Sequence, residues 1–364
     1  MNAPTDPRPV PSVIRDDVRA LAAYHVADAT GLVKLDAMEN PYALPPELAQ
    51  ALGRRLSQVA INRYPPADPA PLKAKLARAF GVPAGMRVML GNGSDELIHL
   101  IIQACARPGA TVLSPWPSFV MYELSARFDG CRFVGVPLAA DFSLDRAALL
   151  AAIDAHRPAV VFVSYPNNPT GNLFDRAALE AVLAAAPGLV VLDEAYSPFA
   201  GDSWMSQLGK WPNLLVLRTL SKLGLAGLRL GYLCGAAAWI AEFEKVRPPY
   251  NVNALTLAAV DFLLDHLQVF ERQAEAIRAE RARLLAALRA TPGVTAFDSA
   301  ANFILFRVAD PAAAFAALRA RGILIKNVAP MHALLSGCLR VTVGTPQEND
   351  AFIAALRDSL QGSR

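Results

Sequence analysis

Between residues 85 and 220 the chain alternates short runs that are apolar at every position with longer stretches that are apolar at helical spacing. The apolar runs lie at 88–90, 111–113, 133–136, 160–163, 189–192 and 214–217, and valine and leucine dominate them. Runs of this length, apolar on both faces, predict strands covered on both sides. Between them, 96–105, 146–155 and 176–185 predict helices. Strands alternating with helices predict an α/β fold around a buried, mostly parallel sheet flanked by helices. The pattern changes after Pro248-Pro249. A helical stretch over 254–289, with room for one break, leads to strand candidates at 303–306, 323–325 and 339–343 and helices at 312–319 and 348–360. Fewer strands beside longer helices predict a smaller α+β domain. The division that follows is an N-terminal arm over 1–45, packing on the small domain or on a partner chain, a large domain over 46–250 and a small C-terminal domain over 251–364. Within the arm, the first residues are too rich in proline to hold a helix or strand.

Composition narrows the class. Hydrophobic residues make up 54% of the 364 and charged residues 18%, which excludes a disordered chain and a charged coiled coil. Lys+Arg is 35 against Asp+Glu 32, and no basic run stands out, so nucleic acid is not an expected partner. No apolar run reaches the roughly 18 residues of a membrane span, and the N-terminus has no apolar core like that of a signal peptide. The four cysteines, Cys105, Cys131, Cys234 and Cys338, are far apart and form no CxxC pair, and the five histidines form no HxH or HxxxH pair. Neither a disulfide framework nor a metal site is expected, and the reading is of a cytoplasmic protein.

In open α/β sheets ligands gather at the carboxyl ends of the strands, so the residues that follow each apolar run carry the chemical argument. Gly91-Asn92-Gly93-Ser94-Asp95-Glu96 opens a helix, which makes a seat for phosphate or a plain helix cap. It is neither GxGxxG nor GxxxxGK[ST], which disfavours a dinucleotide or nucleoside triphosphate site. Ser164-Tyr165-Pro166-Asn167-Asn168-Pro169-Thr170-Gly171 is a stiff turn offering side-chain amides. Asp193-Glu194-Ala195-Tyr196 puts an acid at the end of an apolar strand, where it needs a cation or donor, unless it caps the next helix. After 214–217 comes Arg218-Thr219-Leu220-Ser221-Lys222-Leu223-Gly224, with Arg229 beyond. Only seven of the 35 basic residues are lysine. A lysine among apolar residues either snorkels to the surface or has a lowered pKa and becomes a nucleophile. Four such motifs in this order weigh far more than any one of them.

Together these motifs resemble those of the aspartate-aminotransferase superfamily, the fold-type-I enzymes of pyridoxal 5'-phosphate (PLP). Within it the chain is most similar to the histidinol-phosphate aminotransferases. The likeness runs through Tyr24, Leu35-Asp36-Ala37-Met38-Glu39-Asn40-Pro41-Tyr42, Arg63-Tyr64-Pro65, Gly93-Ser94-Asp95-Glu96 and Pro117-Ser118-Phe119-Val120-Met121-Tyr122. It continues through Asn168-Pro169-Thr170-Gly171, Asp193-Glu194-Ala195-Tyr196, Thr219-Leu220-Ser221-Lys222, Asn302-Phe303 and Cys338-Leu339-Arg340-Val341-Thr342-Val343-Gly344-Thr345.

The resemblance implies a PLP enzyme that exchanges the amino group between L-histidinol phosphate and 2-oxoglutarate, giving imidazole acetol phosphate and glutamate, in histidine biosynthesis. It implies that Lys222 bonds the cofactor and shuttles the substrate proton, that Asp193 pairs with the pyridine nitrogen, and that Asn168 and Tyr196 bond the 3-oxygen. Gly93, Ser94, Asp95, Ser221 and Arg229 surround the phosphate; Phe119 stacks on the ring, where many relatives have tyrosine, with Tyr122 nearby. By the same resemblance Tyr64 reaches the partner subunit's site, which implies a homodimer with shared active sites. Arg340 anchors the substrate anion with Tyr24, and Lys326 stands where a second arginine is expected. The spacing from Lys222 to Arg229 is one residue shorter than in many relatives. Three alternatives stay open at this point: an aromatic amino acid aminotransferase, a phosphothreonine decarboxylase, and a ligand-sensing regulator. The last is poor, because residues 1–45 leave no room for a basic DNA-binding domain.

Overall fold

The computed structural model of the chain describes residues 13–23 and 26–361, so Tyr24 lies outside the described residues. The strands in chain order are β1 (Val33–Lys34), β2 (Met86–Asn92), β3 (Thr111–Trp116), β4 (Arg132–Pro137), β5 (Val160–Ser164), β6 (Leu189–Asp193), β7 (Leu214–Thr219) and β8 (Leu230–Ala236). They are followed by β9 (Thr295–Ala296), β10 (Phe303–Arg307), β11 (Ile323–Leu324), β12 (Lys326–Asn327) and β13 (Cys338–Thr342). Seven strands form the main sheet in the order β2-β8-β7-β6-β5-β3-β4. All run parallel except β8, which is antiparallel to both neighbours.

Strand β8 is absent from the apolar pattern for a physical reason. Its glycines read as breakers, yet they are where the sheet needs no side chain. A Cβ on Gly231 would come within 2.5 Å of the Ser94 nitrogen, and one on Gly235 within 2.2 Å of Leu215. The other apolar runs lengthen into strands, and the helix over 176–185 is found at Arg176–Ala185. The expected break after 254 falls at a short 3-10 turn, Leu264–His266, between helices Ala254–Leu263 and Leu267–Arg289.

Side chains alternate across the central strands, so each strand feeds two cores. Val161, Val163, Val190, Leu192, Leu214 and Val216 enter one cluster. Val160, Phe162, Leu189, Val191, Leu215 and Leu217 enter another on the opposite face. Aspartates cap two of the covering helices. Asp145 accepts from the Ala148 N–H at 2.9 Å and Asp175 from the Ala178 N–H at 2.8 Å, each bond worth about 1 kcal/mol.

A second sheet, β12-β13-β10-β9, is antiparallel and carries its own core around Phe303, Phe306, Val341 and Phe352. The arm is tied to this part of the molecule. Strand β1 pairs in parallel with β11, and the Thr342 N–H donates to the Leu35 carbonyl at 2.9 Å. Asn302 donates to the Met38 carbonyl at 2.9 Å, and the Met38 N–H donates to Thr342 Oγ1 at 2.9 Å.

Candidate active site

The two-residue period of the strands decides which side chains meet. Ser164, Asp193 and Thr219 end β5, β6 and β7 and line one cavity of about 240 Å³. Glu194, the next residue on, points to the other face. It is fully buried there and pairs with Arg218 at 2.8 Å, with Ser203 and the Trp204 N–H also donating to it. The Asp-Glu pair is therefore split between two environments: one carboxylate in the cavity, the other in a buried ion pair that ties two strand ends together.

Asp193 meets the donors that a buried acid requires. The Tyr122 hydroxyl donates to it at 2.7 Å and the Ala195 N–H at 3.1 Å. Tyr122 is fully buried and stacks on Phe162 with centroids 4.8 Å apart. Burial pushes the Asp193 carboxyl up to about 6, against the pull of these two donors. Lys222 lies on the same cavity, and its Nζ donates to the Ala37 carbonyl at 3.0 Å. Burial, and after it the Arg340 guanidinium, lowers its pKa to about 8.

The helix Ser94–Cys105 opens at the other side of the cavity, behind Gly93 at φ 85°. Glycine carries no capping side chain, so this helix start differs from the aspartate-capped ones and offers backbone N–H groups to an anion. The Arg229 guanidinium lies over Gly93, where an added Cβ would come within 2.7 Å of it, and it pairs with Asp95 at 3.3 Å. Ser221, whose hydroxyl accepts from Thr219 Oγ1 at 2.9 Å, lines the cavity beside Phe119, Asn168 and Tyr196.

Arg340 is buried on β13 and donates to Asn168 Oδ1 and, at 2.9 Å, to the Asp36 carbonyl. It also lies 5.3 Å over the Phe303 ring, which packs against Tyr196. Lys326 stands directly opposite Arg340 in the β12–β13 register, so both side chains leave the same face of that sheet. Tyr64 is elsewhere. It is 82% exposed and stacks on Tyr250 at 4.7 Å, away from the Lys222 cavity of its own chain.

The structure thus brings together Gly93, Ser94, Asp95, Phe119, Asn168, Asp193, Tyr196, Ser221, Lys222 and Arg229, with Arg340 at their edge, and leaves Tyr64 apart. Sequence reasoning assigned nothing to Ala37 or Glu39, which line the cavity, or to Asn167, a buried hub bonded to Ser118, Pro117 and Thr170. Strand alternation could have found Ser164 and Thr219. The wall formed by residues 37–39 comes from the arm and follows no periodic signal.

An amine of lowered pKa, a buried carboxyl held by donors, and an anion seat around one cavity define the site of a PLP enzyme, and the chain belongs to the aminotransferase class I and II family, whose model matches residues 30–356. More narrowly, it belongs among the histidinol-phosphate aminotransferases. It is 60% identical to histidinol-phosphate aminotransferase 1 of Ralstonia nicotianae over 354 residues, covering 96% of this chain and 95% of that one. It is 58% identical to histidinol-phosphate aminotransferase 2 of Cupriavidus pinatubonensis, over 98% and 99% of the two chains. The solved histidinol-phosphate aminotransferase of Sinorhizobium meliloti, in complex with pyridoxal-5'-phosphate, superimposes with a TM-score of 0.86 at 25% identity, over 97% of this chain and 99% of that one.

Proposed function

We propose that the chain transfers the amino group between L-histidinol phosphate and 2-oxoglutarate with PLP as cofactor. The observation that carries this is the meeting of Lys222, Asp193 and the Arg340–Asn168 pair around one cavity. The residues fit the cofactor: the capless helix start, Ser221 and Arg229 suit its phosphate, Asp193 its pyridine N–H, Phe119 its ring face and Lys222 its aldehyde. When bound, PLP supplies an electrophilic carbon for amines and a ring that takes up the electrons left when an α-proton departs. Lys222 Nζ is the base that would take that proton from the substrate α-carbon and carry it across to the cofactor's own reacting carbon, and its lowered pKa suits it to both tasks. Asp193, held by Tyr122, would keep the pyridine nitrogen protonated, and Asn168 and Tyr196 would donate to the 3-oxygen.

Arg340 binds the substrate anion, a phosphate in one half-reaction and a carboxylate in the other, and a planar guanidinium fits both. Lys326 opposite it supports this reading, because like charges face to face on a sheet are unfavourable until an anion sits between them. Tyr24 is proposed as a hydroxyl partner of that anion. The fold does not select the substrate, since an L-threonine-O-3-phosphate decarboxylase from Porphyromonas gingivalis also superimposes, with a TM-score of 0.78 at 25% identity. The 60% and 58% identical relatives are histidinol-phosphate enzymes, and none of this favours the aromatic alternative. The test is turnover with 2-oxoglutarate as acceptor: histidinol phosphate is used far better than phenylalanine or tyrosine, and comparable rates would defeat the proposal.

The reading extends to a homodimer in which Tyr64 of one chain serves the site of the other. The exposed, stacked Tyr64–Tyr250 pair, flanked by exposed Ile61 and Leu255, is an apolar surface of the kind that marks interfaces. The proposed units are an arm over 1–45, a large cofactor domain over 46–250 and a small domain over 251–364. A cytoplasmic location is proposed with them, supported by four free cysteines; among the described residues no helix is long and apolar enough to cross a membrane.

A further inference from the structure

We infer that Asn40 is a positioning residue for Lys222, acting through the backbone just beyond the lysine. The inference rests on the reading of Lys222 as the reactive amine. Lys222 sits in the tight passage between β7 and β8. Upstream, that passage is pinned by the strand end itself: the Leu220 N–H donates to the Leu230 carbonyl at 2.9 Å, and the Ser221 N–H to Thr219 Oγ1 at 3.1 Å. Downstream, Asn40 Nδ2 donates to the Leu223 carbonyl at 3.0 Å. The next residue, Gly224, has φ 127°, a conformation other residues avoid, and a Cβ there would lie 2.9 Å from Asn40 Nδ2. The turn is thus shaped to receive the Asn40 amide.

The amide's orientation is settled by its other bonds. Its oxygen accepts from the Tyr42 N–H at 2.9 Å, so its nitrogen faces Leu223 and also Gln273 Oε1 at 3.0 Å. Gln273 in turn donates to the Ala43 carbonyl at 3.1 Å. Three residues before Asn40, the Ala37 carbonyl holds the lysine amine itself. One short segment of the arm therefore grips Lys222 at both ends, at Nζ and through the peptide that follows it. Asn40 is not among the residues lining the cavity, so it acts on the chemistry only by fixing where Lys222 stands.

The test uses the PLP-loaded protein and three variants: Asn40→Ala, Gln273→Leu and the double substitution. Three quantities are read: kcat and KM for glutamate and for histidinol phosphate, the pH midpoint of the cofactor's visible band, and the melting temperature without cofactor. A reactive group displaced by a fraction of an ångström loses rate rather than affinity. Asn40→Ala therefore lowers kcat roughly ten- to a hundredfold with both KM values nearly unchanged. It also raises the band's midpoint, because a loosened lysine gains solvent for its charged form. Gln273→Leu moves both in the same direction by less, and adds nothing to Asn40→Ala, since it works through the same amide. Additive effects, or a lower melting temperature with kcat and midpoint unchanged, overturn the inference. If Asn40→Ala does not fold, Gln273→Leu decides alone: a shifted midpoint supports the inference and an unchanged one overturns it. A wild-type protein that keeps no visible band once free PLP has been removed defeats the reading of Lys222 and this inference with it. That result is distinct from variants that merely match the wild type.

Discussion

Burial acts on Asp193 and Lys222 in opposite senses, because it penalises whichever form is charged. The lysine, lowered to about 8, is half neutral at a pH where an ordinary lysine is almost wholly protonated. Only the neutral amine attacks a carbonyl. Cofactor uptake by cofactor-free protein is therefore expected to quicken by about tenfold per pH unit below that value and to level off above it. A stopped-flow absorbance series that keeps climbing to pH 10 contradicts this, and Lys222→Ala is expected to cut turnover by orders of magnitude. Asp193, raised to about 6 before the cofactor arrives, must be ionised to hold a protonated pyridine, so cofactor binding by cofactor-free protein weakens as pH drops through that value. The Tyr122 hydroxyl favours the ionised form, and removing it lifts the pKa further. Tyr122→Phe is thus expected to shift the acid limb of cofactor binding by cofactor-free protein to higher pH, losing more affinity at pH 6 than at pH 8. A limb that stays in place separates Tyr122 from the acid that titrates.

At the scale of elements, the sequence reveals what periodicity can carry. The fully apolar runs of β5, β6 and β7 announce a covered parallel sheet, and their ends hold the cavity's Ser164, Asp193 and Thr219. What stays hidden is whatever depends on contact with distant chain: β8, whose glycines answer to Ser94 and Leu215, and residues 37–39, which are brought in by pairing with β11 and β13. The β12–β13 ladder shows the same limit. Spacing cannot reveal that Lys326 and Arg340, fourteen positions apart in the chain, face each other across two strands. Their pairing sets up a test of the anion anchor. Arg340→Ala is expected to raise KM for histidinol phosphate and for glutamate together by roughly ten- to a hundredfold, the equivalent of one charge-assisted bond of about 1.5–3 kcal/mol. An increase for one substrate alone assigns the other to Lys326.

For the molecule as a whole, the separate cores and the exposed Tyr64–Tyr250 stack raise the question of how many chains make one working site. Tyr64 stands apart from the cavity of its own chain, so the proposed dimer predicts complementation. Lys222→Ala protein is mixed with a Tyr64→Ala variant already shown to be impaired, and the chains exchange. One site of each heterodimer then combines intact Lys222 from the tyrosine variant with intact Tyr64 from the lysine variant, and turnover recovers. If Tyr64 serves its own chain, every site keeps one defect and nothing is restored, even where tagged chains prove that heterodimers form.

The neighbouring carbonyls of Asp36 and Ala37 have a consequence of their own. Arg340 donates to the first and Lys222 to the second, so one stretch of backbone neutralises both cations with peptide dipoles. A guest that bonds the lysine nitrogen uses up the N–H given to Ala37 and so releases that carbonyl, whereas the guanidinium, with five N–H groups, can take an anion and keep Asp36. At the lysine, loading is therefore an exchange of partners rather than an addition, and its net strength is a difference between two sets of bonds. Because the two carbonyls are adjacent, the backbone that stays on Arg340 holds the carbonyl given up by Lys222 in place for its return.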